Sequence, residues 1–340
     1  MWRTGKKSMK RVFGLLGLLL LLLAAVCWYV WDSYSQFLEQ PLGVESENVV
    51  LDVEPGMPGR AVISRLAELG LTEDGWQWRV LLRFQPVVLK AGEYRIDRGL
   101  TPPALLHKLV RGDVMRYRFT IVEGWTWRQL LQALRDNPML DKGLENGLNE
   151  LDWREVGANP DSLEGAFLPE TYLYTRSDNA IDVLRQAAGA MQNTLSEAWA
   201  LRSDDHPAKT PYELLILASI IERETALDEE RAQVSGVFVR RLQKGMRLQT
   251  DPTVIYGLGE NFDGDIRSRD LQTDTPYNTY TRHGLPPTPI AMPGRPSVLA
   301  AARPDESDAL YFVADGTGGH KFSATLEEHQ RGVDELTGKN

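Results

Sequence analysis

From Val12 to Trp31 the chain reads VFGLLGLLLLLLAAVCWYVW, twenty consecutive residues without a charge. As a helix rising 1.5 Å per residue, this run is about 30 Å long, one hydrocarbon core of a bilayer. Arg3, Lys6, Lys7, Lys10 and Arg11 precede it and Asp32 follows, so positive charge holds the amino terminus in the cytoplasm. Trp28, Tyr29 and Trp31 stand where an interfacial aromatic belt belongs. Two other readings fit less well. A cleaved signal peptide ends in small residues, but this run ends in bulky ones. Lipid attachment at Cys27 calls for a small residue before it, where Val26 stands. The expectation is an uncleaved, single-pass anchor in a bacterial cytoplasmic (inner) membrane, with about 300 residues on the periplasmic side.

Formal net charge is −9, and the first eleven residues alone carry +5, so the remainder carries −14. An acidic body has no basic face for phosphates, which argues against nucleic acid as a partner. Cys27 is the only cysteine, so the exported part has neither disulfides nor thiolate metal sites. His107, His206, His283 and His329 show no metal-ligand spacing; no metal or cofactor is expected.

The pattern divides the chain into a basic tail (1–11), the span (12–31) and a polar stalk (32–47). A small α+β module (48–122), connecting helices and loops (123–162) and a catalytic domain (163–340) follow. In the module, Val49–Val53 reads as a strand stopped by Glu54-Pro55-Gly56. Ala61, Val62, Ile63, Leu66, Ala67 and Leu69 recur at helical spacing, a second amphipathic stretch covers 73–85, and 91–96 returns as a strand. Strand, helix, helix, strand is the layout of a LysM-like sugar-binding module, though a spacer domain with its own core has the same pattern. A further helix opens at Pro102-Pro103, a strand spans 117–122, and another helix starts after Gly124-Trp125-Thr126. The predicted fold class is therefore α+β: one transmembrane helix, a LysM-like module, then a mostly helical domain with a Gly/Pro-rich loop and short strands.

A helix through TPYELLILASIIERETA starts at Pro211, with Thr210 as its N-cap. It is apolar nearly all round, so it is predicted to be the central helix of its domain. Glu222 follows eight residues without a charge, at the margin of the core, where desolvation would lift its pKa toward that of a general acid. The plainer reading is a helix reaching solvent, which Arg223 and Glu224 support. Downstream, residues 245–292 are dense in Gly, Pro, Tyr, Thr and Asn, the hydroxyl, amide and aromatic groups that suit a neutral carbohydrate.

Several segments together resemble the endolytic murein transglycosylase family MltG (YceG-like): LASIIERET at 217–225, MRLQTDPTVIY at 246–256, YNTY at 277–280, GLPP at 284–287, FVADG at 312–316 and Gly319-His320. Leu163-Glu164-Gly165 and Pro169-Glu170-Thr171-Tyr172 also fit. The resemblance covers nearly the whole chain, span and module included. It implies non-hydrolytic cleavage of the MurNAc–GlcNAc bond within nascent strands, leaving 1,6-anhydro-MurNAc ends and terminating elongation. The partners it implies are peptidoglycan glycan strands and the penicillin-binding proteins that synthesise them. It also places the essential carboxyl on the first glutamate of the helix motif, Glu222. A single carboxyl suffices because the sugar's own 6-hydroxyl is the nucleophile, whereas a hydrolase activating water uses two.

Gln249, Asp251 and Thr253 are then expected to line the cleft, although Asp-Pro is also a turn signal. Should Asp251 serve as a second carboxylate, hydrolysis competes. Tyr256, Tyr277, Asn278 and Tyr280 are candidates for holding acetamido and hydroxyl groups, with the tyrosines equally suited to core packing. Glu164 and Glu170 are assigned structural roles, the latter standing where the family more often has Asp. His320 is a candidate substrate contact from a Gly-rich turn, or a bystander. The alternative at the level of function is a non-catalytic peptidoglycan-binding scaffold of the cell-wall synthesis machinery.

Overall fold

The apolar run forms the middle of one long helix, α1 (Gly5–Glu39), in the computed structural model, which describes residues 5–45, 49–84, 88–141, 144–150, 153–154 and 162–338. Parts of the basic tail (1–4), stalk (46–47) and connection (142–143, 151–152, 155–161) lie outside the described residues. The stretch Phe13–Glu39 is long and apolar enough to cross a membrane. The helix does not stop at Trp31 as expected. It continues through what reads as a polar stalk, because Phe37 and Leu38 pack on a core behind it and Leu42 is buried there. Tyr34 stacks on Trp76 at 6.1 Å, and Phe37 meets Trp78 edge-on at 5.1 Å. Two apolar contacts past a charged residue are too few to register as periodicity.

The chain folds as two compact units, residues 1–117 with 175–177, and residues 118–174 with 178–340. The boundary before 118 differs from the expected module end at 122. In the first unit, β1 (Val49–Val53) is followed by α2 (Gly59–Glu68), α3 (Trp76–Phe84) and β2 (Gly92–Ile96). The two strands pair antiparallel in the register Val49↔Ile96 to Val53↔Gly92. Helix α4 (Pro102–Arg111) adds Leu105, Leu106 and Leu109 to a core of Leu51, Val53, Ile63, Leu66, Trp78, Tyr94 and Ile96. The two large polar-tipped side chains in that core are satisfied. Trp78 Nε1 donates to Thr72 Oγ1 at 2.9 Å and Tyr94 O–H to the Lys90 carbonyl at 2.7 Å.

The second unit takes in most of β3 (Tyr117–Thr120), which pairs with β4 (Thr171–Tyr174); α5 (Trp127–Arg135) and α6 (Leu144–Glu150) lie between them in sequence. A Thr126–Gln129 capping box starts α5. The body is helical: α7 (Ala180–Leu201), α8 (Pro211–Glu224), α9 (Arg231–Gln243), α10 (Asp251–Leu258), α11 (Ser268–Gln272) and α12 (Arg295–Ala302). An antiparallel hairpin, β5 (Tyr311–Ala314) with β6 (His320–Ser323), and α13 (Leu326–Thr337) complete it. Every residue of α8 from Leu214 to Ile221 is buried, with α7, α9 and α12 packed around it, which makes it the central helix. Ser219 is tolerated inside because its hydroxyl donates to Ile216 O at 2.7 Å and accepts Ile290 N–H at 3.0 Å, pinning the Pro-rich segment to the helix.

Candidate active site

Helix α8 begins as its sequence dictates: Thr210 accepts the Glu213 N–H at 3.1 Å and Pro211 occupies the first turn. Its last turn carries two carboxylates, Glu222 and Glu224. Residues two apart on a helix of 3.6 residues per turn point to opposite sides. The local fold therefore sends these two groups to different surroundings.

Glu222 is turned toward α12. Its Oε2 accepts the Gly294 N–H at 3.0 Å and the Ser297 hydroxyl at 2.6 Å. Gly294 is the N-cap of α12 and Ser297 lies in its first turn, so Glu222 satisfies donors that the helix leaves open and faces the positive end of its dipole. Arg231, paired with Asp228, donates through Nε to the same Ser297 oxygen at 3.1 Å. This is the environment of an external helix cap. None of the sequence-selected cleft residues bonds to Glu222, so the fold does not bring it together with the cleft expected around the reacting acid.

Glu224 faces those residues. Its carboxyl accepts the Thr250 hydroxyl at 2.6 Å. Burial raises its pKa, the Asp251 carboxylate adds to the rise, and the Thr250 bond and His320 oppose it. Asp251 opens α10, is exposed, and accepts the Tyr280 phenol at 2.6 Å. Burial and that bond to Asp251 push the Tyr280 phenol up. Gln249 is exposed at φ +52, the only non-glycine among the described residues in the left-handed region. Strain of that kind, roughly 1–2 kcal/mol, collects beside functional groups. His320 reaches the same neighbourhood from the β5–β6 hairpin. Glu230 fixes it with two bonds of 2.7 Å, to its backbone N–H and its Nδ1. Burial raises the Glu230 pKa, but the bonds from His320 and Thr225 outweigh it and hold it below the ordinary value.

The other selected residues lie differently. Thr253 is fully buried, bonding the Thr250 carbonyl and the Thr279 hydroxyl, and so braces the loop rather than lining a cleft. Asn278 is also fully buried. Its amide donates to the carbonyls of Asp270, Leu271 and Thr273, and its oxygen accepts Tyr280 N–H at 2.8 Å. Fully buried and with its amide hydrogens spent on backbone carbonyls, Asn278 acts as a brace for the segment that carries Tyr280. Tyr256 and Tyr277 pack edge-on at 4.8 Å. Their hydroxyls go to Glu164 Oε2 at 3.0 Å and to Thr288 at 2.9 Å.

Glu164 is the group the sequence undervalued. It is 5% exposed, accepts Trp127 N–H at 2.9 Å, and borders a groove of about 440 Å³. Gly165 follows at φ +77, where a Cβ would approach Pro289 to 2.6 Å, so only glycine fits this turn. Burial lifts the Glu164 pKa from 4.5 to about 7, against the Trp127 and Tyr256 bonds. A carboxyl whose folded-state pKa is raised contributes stability that is full below pH 4.5 and lost as pH rises through 7. Glu164→Gln removes that penalty. Chemical denaturation of the full chain in detergent is expected to show the variant level with wild type near pH 4.5 and more stable by up to about 3 kcal/mol at pH 8.

Glu224, Thr250 and Glu230 were not selected from the sequence, and Glu164 was read as structural. One available signal was the helical register, which separates 222 from 224 without saying which side the loops occupy.

The YceG-like family profile matches residues 51–335. The endolytic murein transglycosylase of Bacillus subtilis is 29% identical over 327 residues, covering 90% of each chain. The endolytic murein transglycosylase of Streptococcus pneumoniae is 27% identical over 341 residues, covering 89% of this chain and 61% of that longer one. The crystal structure of the yceG-like protein lmo1499 from Listeria monocytogenes superposes with a TM-score of 0.54 at 28% identity, covering 84% of this chain and 99% of that one. With a family match over most of its length and these relatives, the chain belongs to the YceG-like family.

Proposed function

We propose that this chain is a membrane-anchored endolytic murein transglycosylase in which Glu224, rather than Glu222, is the acid and then the base. The observation that carries the reading is the Glu224 carboxyl itself, half-buried and bonded to Thr250, with Asp251 and His320 close enough to act on its charge and its pKa raised by burial. A raised pKa keeps a proton available for the bridging oxygen between MurNAc and GlcNAc. As the proton transfers, the bond from the MurNAc C1 to that oxygen breaks and an oxocarbenium-like centre forms at C1. The Glu224 carboxylate then takes the proton of the C6 hydroxyl as that oxygen bonds to C1. The products are a free GlcNAc 4-hydroxyl and a 1,6-anhydro-MurNAc end, and no water is consumed.

The remaining assignments follow from this reading. Tyr280 and Asp251 form a hydroxyl–carboxylate pair suited to sugar hydroxyls, and His320, oriented by Glu230, offers its Nε2 to the same space. The α1 span would hold the enzyme at the outer face of the cytoplasmic membrane, where strands emerge from penicillin-binding synthases. The β1–β2 module would act as a LysM-like glycan guide. The nearby Asp251 favours one second reading, hydrolysis with two carboxylates. Product mass separates the two. Incubation of purified full-length protein with glycan strands is expected to yield internal cuts with anhydro ends. Ends about 18 Da heavier identify a hydrolase, and uncut strands leave the scaffold alternative.

A further inference from the structure

The groove bordered by Glu164 is lined by chain neighbours of the candidate acid and of Asp251. Arg223 is the chain neighbour of Glu224 and Pro252 that of Asp251, and both line it. Successive residues of a chain sit only about 3.8 Å apart at their Cα atoms, so the backbone that carries the candidate acid also carries part of the groove wall. At about 440 Å³ it has the volume of a small-ligand site. Its walls are mixed: Pro252 and Ile255 give an apolar side, while Gln129, Arg128 and Arg223 give hydrogen-bond donors.

The cations differ in availability. Arg128 is paired with Glu260, whereas Arg223 donates only to the Gly124 carbonyl at 3.3 Å. Among the described residues Arg223 has no carboxylate partner, and it is exposed. A guanidinium offers five donors in a planar fork that matches a carboxylate, so most of this one remains unspent. Gln129 uses its side-chain oxygen to cap Thr126, leaving its amide hydrogens free. An unpaired arginine beside the reacting position of a chain carrying −9 overall calls for an anionic ligand.

The sugars of a murein strand are neutral; its carboxylates lie on the peptide branches of the muramyl residues. We propose that this groove is a subsite for the carboxylate-bearing peptide branch, with Arg223 as its anion-binding group. This rests on the glycan-cleaving reading and extends it: strands with branches are engaged at two points, the scissile bond at Glu224 and the branch at Arg223. The buried Glu164, with its pKa raised to about 7, loses its opposing charge as pH falls below neutrality, and the other carboxylate of the lining, Glu260, is paired with Arg128.

Binding tests the subsite independently of cleavage. A muramyl tripeptide with free carboxylates is titrated calorimetrically into the full-length protein in detergent, alongside the same molecule with its carboxylates amidated. Wild type is expected to bind the free acid at least tenfold more tightly. Arg223→Gln should erase that difference, and Arg223→Lys should restore part of it. In parallel, the ratio of cleavage of strands whose branches carry free carboxylates to strands whose branch carboxylates are amidated is expected to fall at least tenfold in Arg223→Gln. Equal or undetectable wild-type binding of the two ligands overturns the proposal, as does an unchanged free-acid preference in Arg223→Gln. Tripeptide binding without any strand cleavage would instead overturn the enzymatic reading and leave the subsite standing.

Discussion

Glu224→Gln is expected to lower strand cleavage by roughly 10²–10⁴-fold, the span that general acid–base groups contribute. The substitution keeps an oxygen for the Thr250 hydroxyl, now 2.6 Å from Oε2, and removes only the transferable proton. Loss of activity should therefore come with an unchanged fold and retained strand binding. Glu222→Gln is the paired control. It weakens the charge that caps α12 through Gly294 and Ser297, costing about 0.5–2 kcal/mol of stability. Its cleavage rate per folded molecule should stay within a few-fold of wild type. The reverse pattern, a dead Glu222→Gln and an active Glu224→Gln, would return the acid to the position first read from the helix motif.

Asn278→Ala has the second large effect, on the scaffold of the site. The side chain is fully buried and serves three carbonyls and one N–H. Each stranded group costs about 1–3 kcal/mol, so a loss of about 4 kcal/mol or more is expected. Asn278→Asp should be no better, since it sets a second oxygen against the carbonyls of Asp270, Leu271 and Thr273. Thermal unfolding measures the stability loss. Cleavage should fail with it, because Tyr280 is anchored through its backbone to Asn278. A substrate-contacting asparagine would behave differently, losing activity with an unchanged melting temperature.

Much of the architecture was legible because the interactions that specify it are local. The charge-free run marks α1, Thr210 and Pro211 mark the start of α8, and a short apolar run stopped by Glu54-Pro55-Gly56 marks β1. The strand expected at 117–122 is observed as Tyr117–Thr120. What stayed hidden depends on distant partners. Helix α1 extends to Glu39 because Phe37 finds Trp78, some forty residues on. Which way each of the two glutamates turns is decided by Thr250 on one side and by Gly294 and Ser297 on the other. Asn278 lies in a loop without periodicity, so nothing local distinguishes an inward amide from an outward one. Glu164 looked like part of a turn, and only its burial in the folded chain raises its pKa, against the bonds from Trp127 and Tyr256.

The most direct test of the central claim is a titration of the Glu224 carboxyl itself, by infrared difference spectroscopy of wild type against Glu224→Gln. The account requires a protonation midpoint clearly above the ordinary 4.5, so that the acid form persists toward neutrality. A midpoint at or below 4.5 would mean a carboxylate already ionised at working pH, and a different group would have to supply the proton.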